Sequence, residues 1–503
     1  MREWTMVEEV PQLAEMIAAA FARGEGARAV EFEGTWYDWA WMRRTADRVL
    51  ALLDEAGLRE DQAIAIAPAN TPACATTLLG LIAANREIVM IYAYQTPEAL
   101  AKKVRELNCA AVLAEDKAWE APMREAAAAC GAVGITLGLE RQEIVPGTAV
   151  DGAREHRVAG ARRGINLLTS GTTGPPKLRH ADYELLKTSM ILQSATHPYG
   201  VPAPPQPAWF ASAFGNISGL YSWLPLVVAN RPVIMRPKFN LDDYLVYLKT
   251  YRPASAGIPP SGFRELIDRN EPKETFAGIR YMAAGASAMD ADLQRQVEET
   301  YEVKILHAYG ATEFGGVITM NTPQLLEAFG GEKSFSVGKP IGGVQLKIVD
   351  PETGADLPPD TPGVLHVQVP RVGPEWMETS DLCKLDADGF LWYVGRNDGA
   401  IVRGGFKIDP VAVRNALLTH PAIFDAIVAG APDRRLGEVP VAAYVVRKGV
   451  AAPSLDELKA HMRAHLPATF LPTAYRQVDE LPYTPTNKQD LAAVRAMFAA
   501  GDD

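Results

Sequence analysis

Cysteine is scarce in this chain, and its cysteines do not form a metal-binding or redox motif. The 503 residues include four cysteines, Cys74, Cys109, Cys130 and Cys383, with no CxxC pair. Scattered cysteines in a chain of this size argue against a disulfide framework and against a zinc finger, and they are typical of a reducing compartment. We therefore predict a cytoplasmic enzyme.

Long apolar runs and tracts of basic residues are also absent. No apolar stretch approaches the roughly 20 residues that span a bilayer, and acidic residues precede the first apolar stretch, where a signal peptide would be basic. The net charge is −11 and no basic tract offers a surface for nucleic acid. We predict neither a membrane partner nor a nucleic-acid partner. The 48% hydrophobic content of so long a chain predicts two or three subdomains.

Short apolar strands alternate with helices through the first part of the chain, which predicts a parallel α/β sheet. The predicted helices cover residues 38–57, 71–85, 97–107 and 118–130, and the predicted strands cover residues 64–67, 88–92, 110–114 and 133–137. Residues 146–163 are charged, Gly-rich and aperiodic, which predicts an exposed linker. The strand that follows this linker leads into a polar loop.

The second half of the chain changes character twice. Alternation of strands and helices resumes to about residue 320. Residues 338–395 then show three short predicted strands, VQLKIVD, GVLHVQV and FLWYVG, separated by Gly- and Pro-rich turns. The last part combines two helices with short strands before a final helix. The prediction is an α/β fold with a large N-terminal domain of doubly wound sheets (residues 1–396). This N-terminal domain includes a small β-rich module, and a small mobile α+β C-terminal domain (residues 397–503) follows it.

The stretch LLTSGTTGPPKLRHADY, residues 167–183, is rich in small polar donors. Its candidate phosphate-binding residues are Thr169, Ser170, Gly171, Thr172, Thr173, Gly174 and Lys177. Glycines let the backbone approach an anion, which N–H groups, hydroxyls and an ammonium then surround, although an ordinary surface turn has a similar composition. The spacing excludes a Walker A loop, because Gly171 and Gly174 are three residues apart and Leu178 follows the lysine.

Further motifs follow this loop in order: YGATEFGG at 309–316, TSDLCKLDADGFLWYVGRNDG at 379–399, GGFKIDP at 404–410, and PTNK ending at Lys488. With these intervals, the chain from about residue 30 to 495 resembles the adenylate-forming superfamily of acyl- and aryl-CoA ligases, peptide-synthetase adenylation domains and luciferases. The resemblance implies that a carboxylate is joined to the α-phosphate of ATP and that pyrophosphate is expelled. Two anions must meet in this reaction, so their repulsion has to be screened.

The resemblance implies an ATP site. The polar loop would hold the β- and γ-phosphates, and the Tyr309 ring would stack on adenine. The adenine would lie beside a small-residue strand end formed by Gly285, Ala286 and Ser287. Asp381 would accept both ribose hydroxyls and Arg396 would lie near the ribose and phosphates, although a surface Asp–Arg pair is the alternative.

The catalytic residues implied by the resemblance are Thr312, Glu313 and Lys488. Thr312 would donate to the α-phosphate, and Glu313 is a hard oxygen ligand that suits Mg²⁺. The alternative for these two residues is a helix N-terminus that Thr312 caps. Lys488 would bridge carboxylate and α-phosphate oxygens during adenylation, whereas an isolated lysine is usually only solvated.

The resemblance also implies a mobile C-terminal domain that rotates between the two half-reactions. Asp398 occupies the hinge position. Gly404 and Gly405 match the loop that lines the pantetheine channel, and a plain β-turn is the alternative for the two glycines.

The sequence departs from the family pattern near the acid. Gly215 and Asn216, in FASAFGNISGL, replace an aromatic-His gate, which is expected to open space. Together with Ala308 and Gly310, they are predicted to line the acyl pocket. Their small volumes suit an aryl or medium-to-long acyl group better than acetate.

The leading hypothesis is an acid–CoA ligase that uses ATP, Mg²⁺ and CoA. Rival hypotheses are transfer of the activated acid to a carrier protein or an amine, activation of nitrite in the manner of a diazotase, and adenylation followed by oxidation as in luciferases. A non-catalytic nucleotide-binding relative is disfavoured because Thr172, Glu313, Asp381, Arg396 and Lys488 are all present. A homodimer is possible, although no interface signature is visible in the sequence.

Overall fold

The computed structural model describes residues 10–169, 177–192, 200, 202–285, 289, 291–396, 400–447, 449–482 and 490–499. Within these ranges the strands form five sheets, and no helix combines the length and the apolar character needed to cross a membrane. The chain divides into two compact units. Unit 1 takes its described residues from 1–168, 178–239 and 311–316, and unit 2 takes its described residues from 169–177, 240–310 and 317–503.

Unit 1 contains a mainly parallel sheet flanked by helices. In spatial order the strands are Gln142–Ile144, Val133–Leu137, Ala111–Ala114, Ile64–Ala67, Ile88–Met90, Gly164–Thr169 and Lys177–Asp182. Neighbouring strands are parallel throughout the run that begins with Val133–Leu137 and ends with Gly164–Thr169. Gln142–Ile144, at one edge, is antiparallel to its neighbour. The last two strands, which flank the polar loop, are called the phosphate-loop hairpin below.

Helices cover this sheet because its strands are apolar on both faces. Ala65 and Val112 pack in one core with Leu100 and Met123 of two neighbouring helices, while Ile64, one position along the strand, is also fully buried. The helices in this part of the chain are Leu13–Phe21, Trp39–Glu55, Pro72–Ala83, Pro97–Leu107 and Ala121–Ala129. This arrangement is the predicted α/β fold, since parallel sheets are buried on both faces.

A second, four-stranded sheet completes unit 1. Its strands, in spatial order, are Ala208–Phe210, Val233–Met235, Arg28–Phe32 and Thr35–Asp38, and the helices nearby in sequence are Tyr183–Leu186, the π-helix Lys187–Leu192 and Ile217–Val228. The predicted linker at 146–163 is mostly exposed but is tied to the unit by backbone bonds, since Arg157 N donates to Asn108 O and Ala159 N donates to Asp61 O, each at 2.8 Å.

A five-stranded sheet carries the YGATEFGG motif. Its strands are Ser255–Gly257, Tyr281–Ala284, Lys304–Ala311, Gly316–Met320 and Lys339–Pro340, and the helices of this region are Leu241–Tyr251, Pro260–Arg269, Ala291–Tyr301 and Pro323–Phe329. The first three strands are parallel, so their carboxyl ends lie at one edge.

The predicted β-rich module is present, and its strands form an antiparallel meander. Its strands are Gln345–Val349, Gly363–Gln368, Trp376–Leu385 and Leu391–Arg396. Three of these strands match the predicted ones, whereas Trp376–Leu385, the strand that contains Asp381, was not predicted.

The C-terminal part is an α+β layer structure, also as predicted. Its sheet contains Phe406–Ile408, Ile401–Arg403, Gly437–Val446 and Ile423–Asp433, with Ala474–Gln477 beside Gly437–Val446, and its helices are Pro410–Leu418, Leu455–His465 and Leu491–Ala499. Val428 packs in one core with Leu458, while Ile427 packs in another with Val494, so helices cover both faces of this sheet. The domain boundary at residues 396/397 stays a prediction.

Candidate functional site

The carboxyl ends of two parallel strands place small residues beside Tyr309. Ala284 pairs with His307 across the ladder, so the next residues, Gly285 and Ala308, lie side by side at the sheet edge. The nearest atom to a Cβ built on Gly285 would be the Ala308 carbonyl oxygen, at 3.6 Å. A planar group can therefore approach the backbone here, at the kind of edge where α/β sheets bind ligands.

The structure brings Tyr309 and Asp381 together. The Tyr309 hydroxyl donates a hydrogen bond of 2.5 Å to Oδ2 of Asp381. Asp381 is a buried residue, with only 5% of its surface exposed. The Asp381 N–H donates to Oγ1 of Thr379 at 3.0 Å. Burial, followed by the charge of the Asp381 carboxylate, raises the pKa of Tyr309 well above its ordinary value. The phenol therefore remains a hydrogen-bond donor at neutral pH.

Asp381 and Arg396 are partners across an antiparallel ladder. Their Cα positions pair directly, although the Arg396 side chain is outside the described part. Leu382 pairs with Gly395 while Cys383 pairs with Tyr393, so Val394 is the extra residue of a β-bulge. The bulge sets which residue lies opposite Asp381.

The turn that closes this hairpin is held by charged residues that the sequence analysis missed. Asp386 accepts hydrogen bonds from the N–H groups of Asp388 and Phe390 and from Nε1 of Trp392, at 2.9–3.0 Å. The Lys333 ammonium donates to Asp386 at 2.7 Å and to Asp388 at 2.8 Å. The DADG turn was visible in the sequence, but its partner Lys333 had no local signal.

A buried polar network supports the strand that carries Tyr309. Nε2 of His307 lies 2.9 Å from Oε1 of Gln294, and Nε2 of Gln294 donates to Glu298 at 2.9 Å. Glu298 also accepts from the Ile305 N–H at 3.0 Å. Burial lowers the pKa of His307 to about 4, so this imidazole is neutral at physiological pH.

Thr312 and Glu313 lie directly after the Tyr309 strand, in a three-residue 3₁₀ turn, Thr312–Phe314, of unit 1. The position before the turn is Ala311, with no side-chain cap, so the alternative in which Thr312 caps a helix is wrong. Glu313 is exposed, and an exposed carboxylate is free to approach a hard cation.

The predicted gate positions are packed rather than open. A Cβ on Gly215 would lie 3.1 Å from both Cα and Cδ2 of Tyr92, so Tyr92 occupies the volume that the sequence analysis expected to be free. Asn216 is the N-cap of Ile217–Val228, and its Oδ1 accepts from the Gly219 N–H and the Ser218 hydroxyl. The pocket role of Gly215, Asn216, Ala308 and Gly310 stays a prediction.

Gly404 and Gly405 form the two-residue turn of a hairpin in which Arg403 pairs with Phe406. Their φ angles are +54° and +86°, as a type I′ turn requires and as glycine adopts readily. The β-turn alternative is thus what the local structure shows, and the pantetheine role stays a prediction beside it.

Several predicted residues lie outside the described part of the chain. They are Ser170, Gly171, Thr172, Thr173, Gly174, Ala286, Ser287, Asp398 and Lys488, together with the side chains of Thr169, Lys177 and Arg396. Their roles stay predictions.

A mixed α/β chain with Tyr309 and Asp381 joined at a sheet edge, followed by an α+β C-terminal layer, has the architecture of an adenylate-forming enzyme. Residues 17–375 match the family model described as AMP-binding enzyme, and residues 412–488 match the AMP-binding enzyme C-terminal domain. The chain belongs to the AMP-binding enzyme family, which confirms the predicted superfamily.

Curated relatives are CoA ligases at low identity. The chain is 26% identical to oxalate–CoA ligase of Arabidopsis thaliana, over 89% of this chain and 90% of that protein. It is 27% identical to a mitochondrial acyl-coenzyme A synthetase of Homo sapiens, over 64% of this chain, and spans 58% of that relative's length.

Solved structures share the fold. The o-succinylbenzoate CoA synthetase of Bacillus subtilis superposes with a TM-score of 0.79 at 21% identity, covering 96% of this chain and 98% of that one. An amide bond synthetase of Marinactinospora thermotolerans gives 0.81 at 23% identity, covering 97% and 100%. Both likenesses confirm the predicted fold class.

Proposed function

We propose that this protein activates a carboxylic acid with ATP and then transfers the acyl group to CoA. A carboxylate oxygen attacks the α-phosphorus, the bond to the β-phosphate breaks, and pyrophosphate leaves. The CoA sulfur then attacks the acyl carbon, AMP leaves with the bonding electrons, and the thiol proton passes to solvent. The observation that carries the proposal is the Tyr309–Asp381 pair beside Gly285 and Ala308.

This pair suits the nucleoside part of ATP. The Tyr309 ring offers a face for adenine beside small residues, and ring stacking needs such a flat, open approach. Asp381 gives one acceptor oxygen to the tyrosine hydroxyl and retains lone pairs on both oxygens for a vicinal diol. The hydrogen bond thus aligns the adenine support with the ribose acceptor before ATP binds.

The donor set also fits a magnesium nucleotide. Mg²⁺ usually takes one or two protein carboxylates plus phosphate oxygens and water, and the exposed Glu313 beside Thr312 supplies such a carboxylate. A bound Mg²⁺ would neutralise phosphate charge during the displacement. Thr312 would donate to the α-phosphate, Lys488 would screen the approaching carboxylate, and the loop of residues 170–176 would hold the departing pyrophosphate.

The proposed acid is an aryl or medium-to-long acyl carboxylate, because Gly285, Ala308 and Gly310, the predicted pocket residues, are small and would leave room for a bulky group. CoA is the proposed acceptor because the curated relatives are named as CoA ligases. Gly404 and Gly405 would let the pantetheine arm pass close to the backbone.

Pyrophosphate release from MgATP against a panel of aryl, cinnamyl, short and long aliphatic acids, with and without CoA, tests the proposal. We expect an aryl or longer acyl acid to turn over with CoA and to yield AMP and a thioester, and Asp381→Asn to serve as the weakened control. Adenylation that CoA does not discharge would reject the acceptor and direct the search to carrier proteins, amines and nitrite. Turnover of acetate alone would reject the acid class.

A further inference from the structure

Glu87 is a buried carboxylate that belongs to none of the sequence motifs. It precedes the strand Ile88–Met90 and is 4% exposed. Its Oε1 accepts a hydrogen bond of 2.6 Å from Nδ2 of Asn166, and its Oε2 accepts one of 3.1 Å from the Gly164 N–H. Both donors lie on the first strand of the phosphate-loop hairpin.

The third contact of Glu87 comes from the second strand of that hairpin. Nδ1 of His180 lies 3.5 Å from Oε1 of Glu87. The two strands approach closely at this end, since a Cβ on Gly164 would lie within 2.2 Å of the Ala181 carbonyl oxygen. One carboxylate therefore joins both strands of the hairpin whose connection is the loop of residues 170–176.

The positions of the two side-chain donors relative to the loop are symmetric. Asn166 is three residues before the strand ends at Thr169, and His180 is three residues after the next strand begins at Lys177. At roughly 3.3 Å per residue, each donor lies about 10 Å along its strand from the loop. A change in strand spacing at this depth therefore also moves the strand ends at Thr169 and Lys177, because the intervening backbone is extended.

The contacts favour a charged pair. Burial alone would raise the pKa of Glu87, but the hydrogen bonds from His180 and Asn166, with the His180 charge, outweigh it and hold this pKa below its usual value. The hydrogen bond to Glu87, which outweighs the effect of burial, raises the pKa of His180. An unpaired buried carboxylate is costly, so the pair and its hydrogen bonds stabilise the hairpin.

Several charged or titratable groups surround the Glu87–His180 pair. Asp182 adds to the field that favours the His180 cation, and Arg162, which is 3.2 Å from Asp182, reaches His180 only through its backbone. Burial, followed by nearby charges that include Glu87, raises the pKa of the Tyr183 phenol and of the Cys109 thiol, to about 12 for Cys109. Among these groups, His180 alone changes charge near neutral pH.

We propose that Glu87 and His180 are positioning residues for ATP: their pair sets the spacing of the two hairpin strands and thereby the affinity for MgATP. The inference rests on the proposed phosphate-binding role of residues 170–176. As pH rises through the pKa of His180, the cation is lost, the pair weakens and the affinity for MgATP falls.

The test is MgATP binding to the full chain by titration calorimetry, without acid or CoA, from pH 6 to 9. We expect His180→Gln to weaken binding at pH 6.5 about fivefold, the scale of a partly exposed ion pair, and to remove the pH dependence of the wild type. His180→Lys should bind tightly and evenly to pH 9, because the lysine pKa lies near 10.4. Glu87→Gln should resemble His180→Gln.

Arg162→Gln is the matched control, since it removes the ion pair of the exposed Arg162 with Asp182 of the same hairpin and should leave the pH profile as in the wild type. If His180→Gln binds MgATP with wild-type affinity and the wild-type pH profile, the positioning role is overturned while the proposed function stands. If the wild type itself does not bind MgATP, both fail. Because the His180 side chain is partly exposed whereas Glu87 is buried, the His180 variants decide the outcome even if Glu87→Gln does not fold.

Discussion

The Tyr309 hydroxyl donates to Asp381 at 2.5 Å, across 72 residues of sequence. The bond connects the strand Lys304–Ala311 to the strand Trp376–Leu385 of the antiparallel meander, so two different sheets are joined at the predicted ATP site. Asp381 is nearly buried, and a buried carboxylate without a donor would be costly.

Tyr309→Phe tests this bond, because it keeps the aromatic face and removes only the hydroxyl. We expect the KM for ATP to rise roughly fivefold with little change in kcat, as for the loss of about 1 kcal/mol from one hydrogen bond. Steady-state kinetics with ATP and 2′-deoxy-ATP measure the effect. If Asp381 accepts the ribose hydroxyls, Asp381→Asn discriminates less between the two nucleotides than the wild type does, and unchanged discrimination would contradict its role.

Lys488→Ala tests the proposed catalytic lysine. The variant should lose adenylate formation, because no ammonium screens the meeting of carboxylate and α-phosphate, while MgATP binding stays largely intact. Pyrophosphate release and nucleotide binding are measured side by side. Lys459→Ala, on the helix Leu455–His465, is the matched control and should retain activity. Near-normal pyrophosphate release from Lys488→Ala would reject its role.

His307 predicts a pH dependence of stability. Its folded pKa of about 4 lies below the unfolded value near 6.5, so the unfolded state takes up the proton first as pH falls. The stability contribution is therefore complete above pH 6.5 and is lost between pH 6.5 and 4, up to about 3 kcal/mol. Urea unfolding at pH 7 and pH 5 should show this loss in the wild type and a smaller one in His307→Gln. Equal losses in the two proteins would exclude His307 as the source.

Gly215→Ala tests the packing at the predicted gate. The new Cβ would press on Tyr92 at 3.1 Å, and overpacking of this kind typically costs about 1–3 kcal/mol. Thermal unfolding should show a loss of stability, and the KM for the acid should change while the KM for ATP does not. Gly152→Ala, where a Cβ would meet no atom within 4 Å, is the control. An unchanged KM for the acid would remove residue 215 from the acyl pocket.

Local patterns predicted the parallel part of the fold well. The strands Ile64–Ala67 and Val133–Leu137 and the helix Pro97–Leu107 have the predicted bounds, because apolar runs and the Thr96 cap are local signals. The strand Trp376–Leu385 was missed because only two of its ten residues are buried and its sequence shows no apolar run.

The sequence motifs identified residues of the candidate site, but not the contacts between those residues. The motifs gave Tyr309 and Asp381, yet their hydrogen bond joins distant segments and could not be inferred from spacing. Tyr92 filling the space at Gly215 is likewise a tertiary contact. Asn216 caps the helix Ile217–Val228, and asparagine is a common N-cap residue, but it was predicted to line the acyl pocket instead.

The bulge at Val394 has a consequence for how this chain tolerates change. Counting back from Leu385 and Leu391, an unbulged hairpin would set Gly395 opposite Asp381, and the one extra residue moves Arg396 into that place. Val394 is 53% exposed, so many side chains can stand there, whereas a single-residue insertion anywhere between the turn and Arg396 would change the partner of Asp381. The hairpin therefore constrains the number of its residues more strictly than their identity, and length variation among natural or engineered homologues should be excluded from this segment.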